Sequence, residues 1–239
     1  SIIFSNIILE AKENKLFISA SDSQIIFKAT EEIEIEEEGK ILLNSKKLAD
    51  IIKVLPDDEI IFTSDENYNI TINPKTVSSG LKFNIKGIIE EDYNLDISID
   101  KSTMFEYKFE QLKEMVNKIV FATADDDPVY SLNGIFMEIK DNKFSMVATD
   151  NKRLCYNYQF SEEPEKTIVV PKKFFNIINK IKTVTENIFL GIQDKKISAT
   201  IDNITIESYL LEPNYPNYKN IFPKSIVYNA KINTAEFKN

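Results

Sequence analysis

The densest group of reactive side chains in this sequence is a run of three aspartates, Asp125, Asp126 and Asp127. Carboxylates can hold Mg²⁺ for phosphoryl transfer, so together with Glu138 and Asp150 they define a Mg²⁺-dependent nuclease as one hypothesis. Successive side chains of an extended segment point in opposite directions, so the three cannot all converge on one ion. A solvated acidic loop is the favoured interpretation, and the nuclease remains the weaker alternative.

Most other catalytic chemistry is excluded because its residues are missing. The chain of 239 residues has no histidine, which rules out histidine triads and histidine metal sites. Its one cysteine, Cys155, can form neither a zinc cluster nor an internal disulfide, which favours a reducing, cytoplasmic compartment. None of the five glycines builds a phosphate-binding loop, and no apolar run suits a membrane span. We therefore expect no catalytic residue, no metal and no cofactor.

Positive charge is concentrated in two segments, although the net charge of the chain is -9. Both segments, 45–55 and 171–182, have apolar residues at the i, i+3, i+4 and i+7 spacing of an amphipathic helix. Phosphate binding depends on lysine and arginine, so these segments are candidates for contact with nucleic acid. An ordinary solvated helix face is the competing interpretation. The lysines are Lys46, Lys47 and Lys53 in the first segment and Lys172, Lys173, Lys180 and Lys182 in the second.

The sequence repeats itself at a nearly constant offset, which is 128 residues in the first matching stretch and places Glu10 opposite Glu138. A period this long indicates duplicated domains rather than the short units of a solenoid. The matching stretches are SNIILEAKENKLFISASD (5–22) with NGIFMEIKDNKFSMVATD (133–150), KKLADIIKVL (46–55) with KKFFNIINKI (172–181), and IIEEDYN (88–94) with LLEPNYP (210–216).

The repeat predicts a first domain over residues 1–100, a complete second domain over 101–226 and the start of a third over 227–239. The lead-in to the second unit, 101–128, has no counterpart before Ser1. We therefore expect the chain to be part of a longer protein with at least three units.

The pattern of apolar residues predicts an α+β fold in which amphipathic helices lie on antiparallel sheets. Helices are expected over 45–55, with Ser45 as N-cap, and over 106–120 and 171–182. Each unit is expected to contain two rounds of one helix and about four strands. Strands are predicted at 15–21, 24–30, 59–65, 68–73 and 80–86 in the first unit and at 134–140, 143–149, 154–160, 187–193, 196–202 and 204–210 in the second.

Four motifs give the chain a resemblance to a known family: VATDNKRL (147–154), NYPNYKNIFP (214–223), LNG (132–134) and the VPKK helix start (170–173). With the repeat architecture, they resemble the bacterial β sliding clamps, the processivity subunits of the replicative DNA polymerase. The resemblance covers the whole chain. It implies tandem DNA-clamp domains with antiparallel sheets outside and helices lining the inner concave face.

The resemblance also implies a non-catalytic function. Two protomers would form a homodimeric ring around duplex DNA, bound without regard to sequence, with strand 80–86 at the dimer edge. The ring would tether the DNA polymerase, the clamp loader and repair proteins, which insert short peptides with apolar and aromatic anchors. A β-rich scaffold without a role on DNA is the alternative, and it would not need lysines on equivalent helices.

The resemblance also identifies residues for two sites, a pocket for partner peptides and a surface that faces DNA. Because the third-domain wall of the pocket would lie beyond Asn239, we expect this chain alone to bind such peptides weakly or not at all, and not to close a ring. Asn151 stands where the family usually has glycine, so a positive φ is expected there. Asn220 replaces a commonly basic residue, and the acidic loop 124–131 makes DNA contact there doubtful. The partner-peptide pocket comprises Leu132, Thr149, Lys152, Arg153, Leu154, Pro216 and Ile221, and the DNA-facing residues are Lys46, Lys47, Lys53, Lys172, Lys173, Lys180 and Tyr130.

Overall fold

The structure is a computed structural model that describes residues 2–76, 80–89, 95–98, 100, 104–223, 225 and 228–238. The first unit contains strands β1 (Asn6–Lys12), β2 (Lys15–Ser21), β3 (Ile25–Glu32), β4 (Gly39–Asn44), β5 (Ile60–Ser64), β6 (Asn69–Pro74) and β7 (Phe83–Lys86), with helix α1 (Ser45–Val54). The second contains β8 (Phe105–Lys108), β9 (Gly134–Lys140), β10 (Lys143–Thr149), β11 (Leu154–Phe160), β12 (Lys166–Pro171), β13 (Asn187–Gln193), β14 (Lys196–Ile201) and β15 (Ile204–Tyr209), with helices α2 (Phe109–Ile119) and α3 (Lys172–Ile178). A short helix, α4 (Thr234–Phe237), follows.

The strands form antiparallel sheets, and the predicted α+β class is confirmed. One sheet of eight strands has the order β4-β1-β2-β3-β15-β14-β13-β8 and runs through both units. A sheet of four strands has the order β11-β10-β9-β12, and a sheet of three has the order β5-β6-β7. The two units therefore join through strands β3 and β15, which pair antiparallel with Ile206 opposite Phe27.

The second unit is built from two similar halves that exchange their first strands. Each half has the order strand, helix and three strands, rather than the predicted helix followed by about four strands. Strand β8 of the first half pairs with β13 of the second, and β12 of the second half pairs with β9 of the first. Neither sheet can therefore be completed by one half alone.

Equivalent hairpins explain why the two units share the sequence pattern noted above. Strands β1 and β2 meet with Lys12 opposite Lys15, and β9 and β10 meet with Lys140 opposite Lys143. The two turn residues between them have φ of 51° and 57° in the first hairpin and 52° and 58° in the second. Two successive left-handed residues define the tight turn that suits the twist of a β-hairpin, and asparagine and aspartate tolerate it.

The helices differ from the prediction at their ends. The N-cap of α1 is Asn44, whose side chain accepts the backbone N–H of Lys47 at 3.0 Å, and not Ser45. The hydroxyl of Ser45 instead donates to the carbonyl of Ser5 at 3.0 Å. Helix α2 starts at Phe109 because residues 105–108 are already paired in strand β8.

Helix α3 is shorter than predicted and ends at Ile178. The N–H groups of Lys180 and Ile181 bond to carbonyls three residues back, so the chain tightens and leaves the helix. Lys180 and Lys182 therefore lie beyond the helix that was expected to carry them.

Two hydrophobic cores lie between helices and sheets. The larger core fills the second unit, where fully buried Phe109 and Leu112 of α2 meet Phe174 and Phe175 of α3. The smaller core fills the first unit around Leu43, Leu48 and Ile72. No helix within the described residues is long and apolar enough to cross a membrane.

A buried ion pair fastens the segment between the units to the shared sheet. Glu207 of β15 is 2% exposed, and its carboxylate accepts the ammonium of Lys196 at 2.7 Å. The same carboxylate accepts the backbone N–H of Ser98 at 2.9 Å and the Ser98 hydroxyl at 3.2 Å. The connecting segment is thereby held against the strand that joins the units. The repeat IIEEDYN (88–94) lies outside the described residues from Glu90 onward.

Candidate functional site

The lysines of α1 include two with no ion pair within the described part of the chain. Lys46 and Lys47 occupy the first turn of the helix and are exposed. Lys53, in the last turn, forms an exposed ion pair with Asp50 at 3.1 Å. The first turn of α1 therefore carries two free positive charges.

The lysines of α3 are more engaged with acidic residues. Lys172 bonds to Asp125 at 2.8 Å, and Lys173 forms an ion pair with Asp22 in the turn between β2 and β3. Burial opposes ionisation of Asp22, but the bonds from Lys173 and from the N–H groups of Ile25 and Gln24 lower its pKa overall. Each partner carboxylate neutralises one of the cations at the start of this helix.

Two other residues that were predicted to face DNA are exposed. Lys180 lies in the turn after α3, is exposed and has no ion pair among the described residues. Tyr130, in a 3-10 turn over Tyr130–Asn133, is 62% exposed.

The three aspartates of the acidic loop have separate surroundings. Asp125 pairs with Lys172, whereas the Asp127 carboxylate accepts the N–H of Val129 at 2.8 Å. The residue between them, Asp126, has a left-handed φ of 55°. Within the described residues, no group of three or more histidine, cysteine or acidic side chains is placed to hold a metal ion.

The turn that carries much of the predicted pocket is tightly hydrogen-bonded. Thr149 donates to the carbonyl of Arg153 at 2.7 Å and accepts the N–H of Asn151 at 3.1 Å. The Asp150 carboxylate accepts the N–H groups of Arg153 and Lys152, both at 3.0 Å, and these bonds lower its pKa. Asn151 has a φ of 67°, which confirms the left-handed conformation predicted for this position. The turn thus presents Lys152 and Arg153 to solvent.

The predicted pocket residues differ in their access to solvent. Leu132 is fully buried and Thr149 is 3% exposed, so both lie beneath the surface. Leu154 and Pro216 are half-buried, and Ile221 is 60% exposed. These last three are therefore the accessible apolar residues of the predicted set, and Lys152 and Arg153 are its exposed cations.

The segment after β15 brings Pro216 and Ile221 to this site because it crosses the outer face of the sheet that contains β9, β10 and β11. The Ser131 hydroxyl donates to the carbonyl of Asn214 at 2.7 Å, which fastens this segment beside Leu132. The Tyr218 hydroxyl bonds to Glu138 at 3.2 Å, and Lys219 bonds to the same carboxylate at 3.0 Å.

Burial of the aromatic rings in this segment shifts their ionisation. Burial raises the pKa of Tyr215 to about 12. For Tyr218, burial and then the negative charge of Glu138 raise the pKa well above its usual range. The segment is thus anchored by neutral phenols on an apolar surface that includes Phe136 and Val147.

An aromatic strip beside the predicted pocket was not anticipated from the sequence. It comprises Tyr156, Tyr158, Phe160 and Phe222. The ring centroids of Tyr156 and Tyr158 are 5.6 Å apart, and those of Tyr156 and Phe222 are 5.9 Å apart. The signal was the alternation in LCYNYQF, which places an aromatic ring at every second residue of β11 and so on one face.

Comparison with known proteins gives matches along nearly the whole chain. Residues 106–217 match the family described as DNA polymerase III beta subunit, central domain, and residues 2–97 match its N-terminal domain. The beta sliding clamp of Staphylococcus epidermidis is 28% identical over 246 aligned residues, which cover 98% of this chain and 64% of that protein. The beta sliding clamp of Treponema pallidum is 25% identical, with coverage of 92% and 60%.

Solved structures share the architecture. The DNA polymerase III beta subunit of Thermotoga maritima superposes with a TM-score of 0.85 at 23% identity, over 94% of this chain and 61% of that one. The DNA polymerase sliding clamp of Bacillus subtilis gives 0.82 at 22% identity, over 93% and 61%. The fold of this chain is that of the sliding clamps.

The sequence matches identify the family within that fold class. The chain belongs to the DNA polymerase III beta subunit family, the beta sliding clamps. It spans 64% of the length of the Staphylococcus epidermidis relative and 60% of the Treponema pallidum relative.

Proposed function

We propose that the protein is a non-catalytic DNA sliding clamp that holds the replicative polymerase on duplex DNA. The observation that carries this proposal is the head-to-tail joint between the units, in which β3 of one repeat pairs with β15 of the next. The same joint can be repeated at two further edges. The strand of the second unit that corresponds to β3 is β11, and the strand of the first unit that corresponds to β15 is β7. Both lie at sheet edges among the described strands.

A joint of this kind between unlike edges produces a closed ring when the rotation per unit divides a full turn. Edge strands with unpaired backbone groups are suited to such pairing. We propose domain limits of 1–100, 101–226 and 227–239, with β7 as the edge that meets a partner protomer. A ring holds DNA by topology, so its contacts with phosphates need neither be strong nor recognise bases.

The charge distribution supports a DNA-facing role for the equivalent helices α1 and α3. Lys46, Lys47 and Lys180 are exposed and free of ion pairs within the described residues, so they would contribute most of the attraction to phosphate. Lys172 and Lys173 would contribute less until DNA displaces their carboxylate partners.

The surface formed by Leu154, Pro216 and Ile221 is proposed as the second-domain wall of the site for partner peptides. An apolar surface with a cationic rim suits an extended peptide that carries apolar anchors and acidic groups. The polymerase, clamp loader and repair proteins are proposed to bind here in turn.

Retention on DNA circles tests the proposal. The complete protein, of which this chain is expected to be part, is incubated with a clamp loader, ATP and nicked circular DNA, and unbound protein is removed by gel filtration. A clamp stays on the circle and is lost when a restriction enzyme linearises it. Equal retention on circular and linear DNA would contradict the proposal and favour a scaffold.

A charge-matched pair of variants tests the DNA-facing helix. Replacing Lys46 and Lys47 by glutamate is expected to reduce binding to a short duplex at low salt and to flatten its salt dependence. The control replaces Lys12 and Lys15, exposed lysines of the β1–β2 hairpin, and makes the same change in net charge. Equal loss in both variants would refute the assignment of α1 to the DNA-facing surface.

A further inference from the structure

The outer faces of two equivalent strands differ in chemistry. Strand β3 pairs with β2 so that Phe27 lies opposite Ala20, and β11 pairs with β10 so that Cys155 lies opposite Ala148. The repeat places Ala20 and Ala148 in equivalent positions. Tyr156, Tyr158 and Phe160 on β11 therefore correspond to Lys28, Thr30 and Glu32 on β3. The fold accepts polar residues at these positions in one unit and has aromatic residues in the other.

The aromatic strip is also poorly buried, and the equivalent face of β3 stays partly accessible even where β3 pairs with β15. Tyr156 is 37% exposed, Tyr158 54% and Phe160 68%. Phe222, from the segment after β15, is 46% exposed and extends the strip beyond Tyr156. A contiguous apolar surface of this kind is typical of an interaction site.

Two unpaired cations flank the strip. The ammonium of Lys143 lies 5.1 Å from the centre of the Tyr158 ring, and Lys143 is opposite Phe160 in the sheet. Lys152 is exposed in the turn that precedes β11. Neither lysine has an ion pair within the described residues, because the nearby carboxylates Glu138 and Asp150 are already bonded to Lys219 and Arg153. These two lysines favour acidic groups in a partner beside Tyr158 and Leu154, whereas exposed Asp141 and Glu162 lie at the Phe160 end of the strip.

The strip is continuous with the apolar wall proposed for partner peptides. Leu154 begins the strand that carries the strip, and Ile221 directly precedes Phe222. From Leu154 to Phe160 an extended strand rises about 20 Å, which matches about six residues of an extended peptide. A peptide anchored on Leu154 and Ile221 can therefore continue along the strip.

We propose that the aromatic strip is a second recognition surface for partner peptides, one that selects apolar or aromatic side chains alternating with acidic residues. This inference depends on the proposed clamp function, because the strip extends the proposed peptide site. A second copy of this chain is a poorer occupant. A symmetric contact would bring Lys143 and Lys152 of one copy against those of the other.

The test compares three synthetic peptides in NMR titrations of the ¹⁵N-labelled chain. A core peptide carries only two leucines and a phenylalanine between glycines. Two extended peptides add Asp-Tyr-Asp-Phe before or after that core. We expect one extended peptide to bind at least about fivefold more tightly than the core, because its aromatic side chains would pack against the rings of the strip.

The matched variant replaces Tyr158 by threonine and Phe160 by glutamate, the residues that β3 carries at the equivalent positions. This variant is expected to bind the core peptide as the parent does and to lose the gain from extension. Because both side chains are largely exposed, its fold is expected to be preserved, which its NMR spectrum checks.

The outcomes separate the strip from the pocket. If the core peptide binds and neither extension improves its affinity, the strip is not a recognition surface, and the pocket assignment is unaffected. Binding of an extended peptide alone, abolished in the variant, would support the strip and agree with a pocket that lacks its third-domain wall in this chain. The proposed role of the strip would be refuted if none of the three peptides binds. It would also be refuted if the extension still improves affinity in the double variant. Self-association that the double substitution abolishes, measured by sedimentation velocity, would assign the strip to a second copy instead.

Discussion

The ion pair between Glu207 and Lys196 predicts a large loss of stability when its carboxylate is removed. Glu207 is 2% exposed, and it satisfies the ammonium of Lys196, whose side chain is 17% exposed, and the backbone N–H of Ser98. Replacing Glu207 by alanine leaves both groups without this acceptor. Removing one partner of a buried ion pair costs about 3–5 kcal/mol. Lys196 retains some solvent and the ring of Tyr209, so the lower end, about 3 kcal/mol, is expected.

The measurement is urea unfolding followed by circular dichroism and tyrosine fluorescence, since the chain has no tryptophan. The matched control is Glu186→Ala, which breaks the exposed pair between Glu186 and Lys108. That substitution is expected to cost about 0–1 kcal/mol. Hydrogen exchange of residues 95–98 should rise in Glu207→Ala and not in the control.

The sign of the pH dependence follows from the lysine. The bond from Glu207 raises the pKa of Lys196, against the opposing effect of burial. The stability contributed by the pair is therefore fully present below the usual lysine pKa and is lost as the pH rises through the raised value. The deficit of Glu207→Ala should shrink at high pH. A loss no greater than that of Glu186→Ala at neutral pH would refute the reasoning.

Three further predictions concern single residues. Asn151 has a left-handed φ of 67°, so Asn151→Ala should lower the free energy of unfolding by about 1 kcal/mol relative to Asn151→Gly, measured in urea. Burial raises the pKa of Tyr215 to about 12, so alkaline titration followed by ultraviolet absorbance should lose one late-ionising phenol in Tyr215→Phe, and unchanged late absorbance would contradict this. The Lys173→Ala variant should be less stable than the parent at neutral pH by less than about 1 kcal/mol. Because the pKa of Asp22 is lowered, that deficit should disappear as the pH falls through the pKa of Asp22, and a deficit that persists in acid would refute the contribution of this pair.

The central parts of many elements could be predicted from the sequence because their apolar residues alternate or recur at the helical period. Strands β2, β9, β10, β11 and β13 have their predicted bounds. Three of the four unpredicted strands run straight into a helix, as β4 does at Asn44 and β8 at Lys108. Their few apolar residues merge with the helical pattern, so periodicity alone cannot separate them.

The site was only partly predictable for a different reason. Motifs predicted that Leu154, Pro216 and Ile221 belong to one pocket, and the fold leaves all three at least partly accessible. Sequence could not indicate that Lys172 and Lys173 would be paired, because Asp125 and Asp22 are distant in the chain. Nor could it show that the aromatic strip is exposed, since that depends on where the segment after β15 crosses the sheet.

The exchange of first strands between the two halves of the second unit has a consequence for synthesis on the ribosome. Strand β8 cannot pair until β13 has been synthesised, since Lys108 pairs with Asn187, 79 positions later (187 minus 108). Strand β3 must wait longer still, for β15. Such distant pairings slow folding and leave unfinished edges open to wrong contacts. Nascent chains stalled before residue 187 should therefore depend on chaperones, whereas chains released after residue 209 should not.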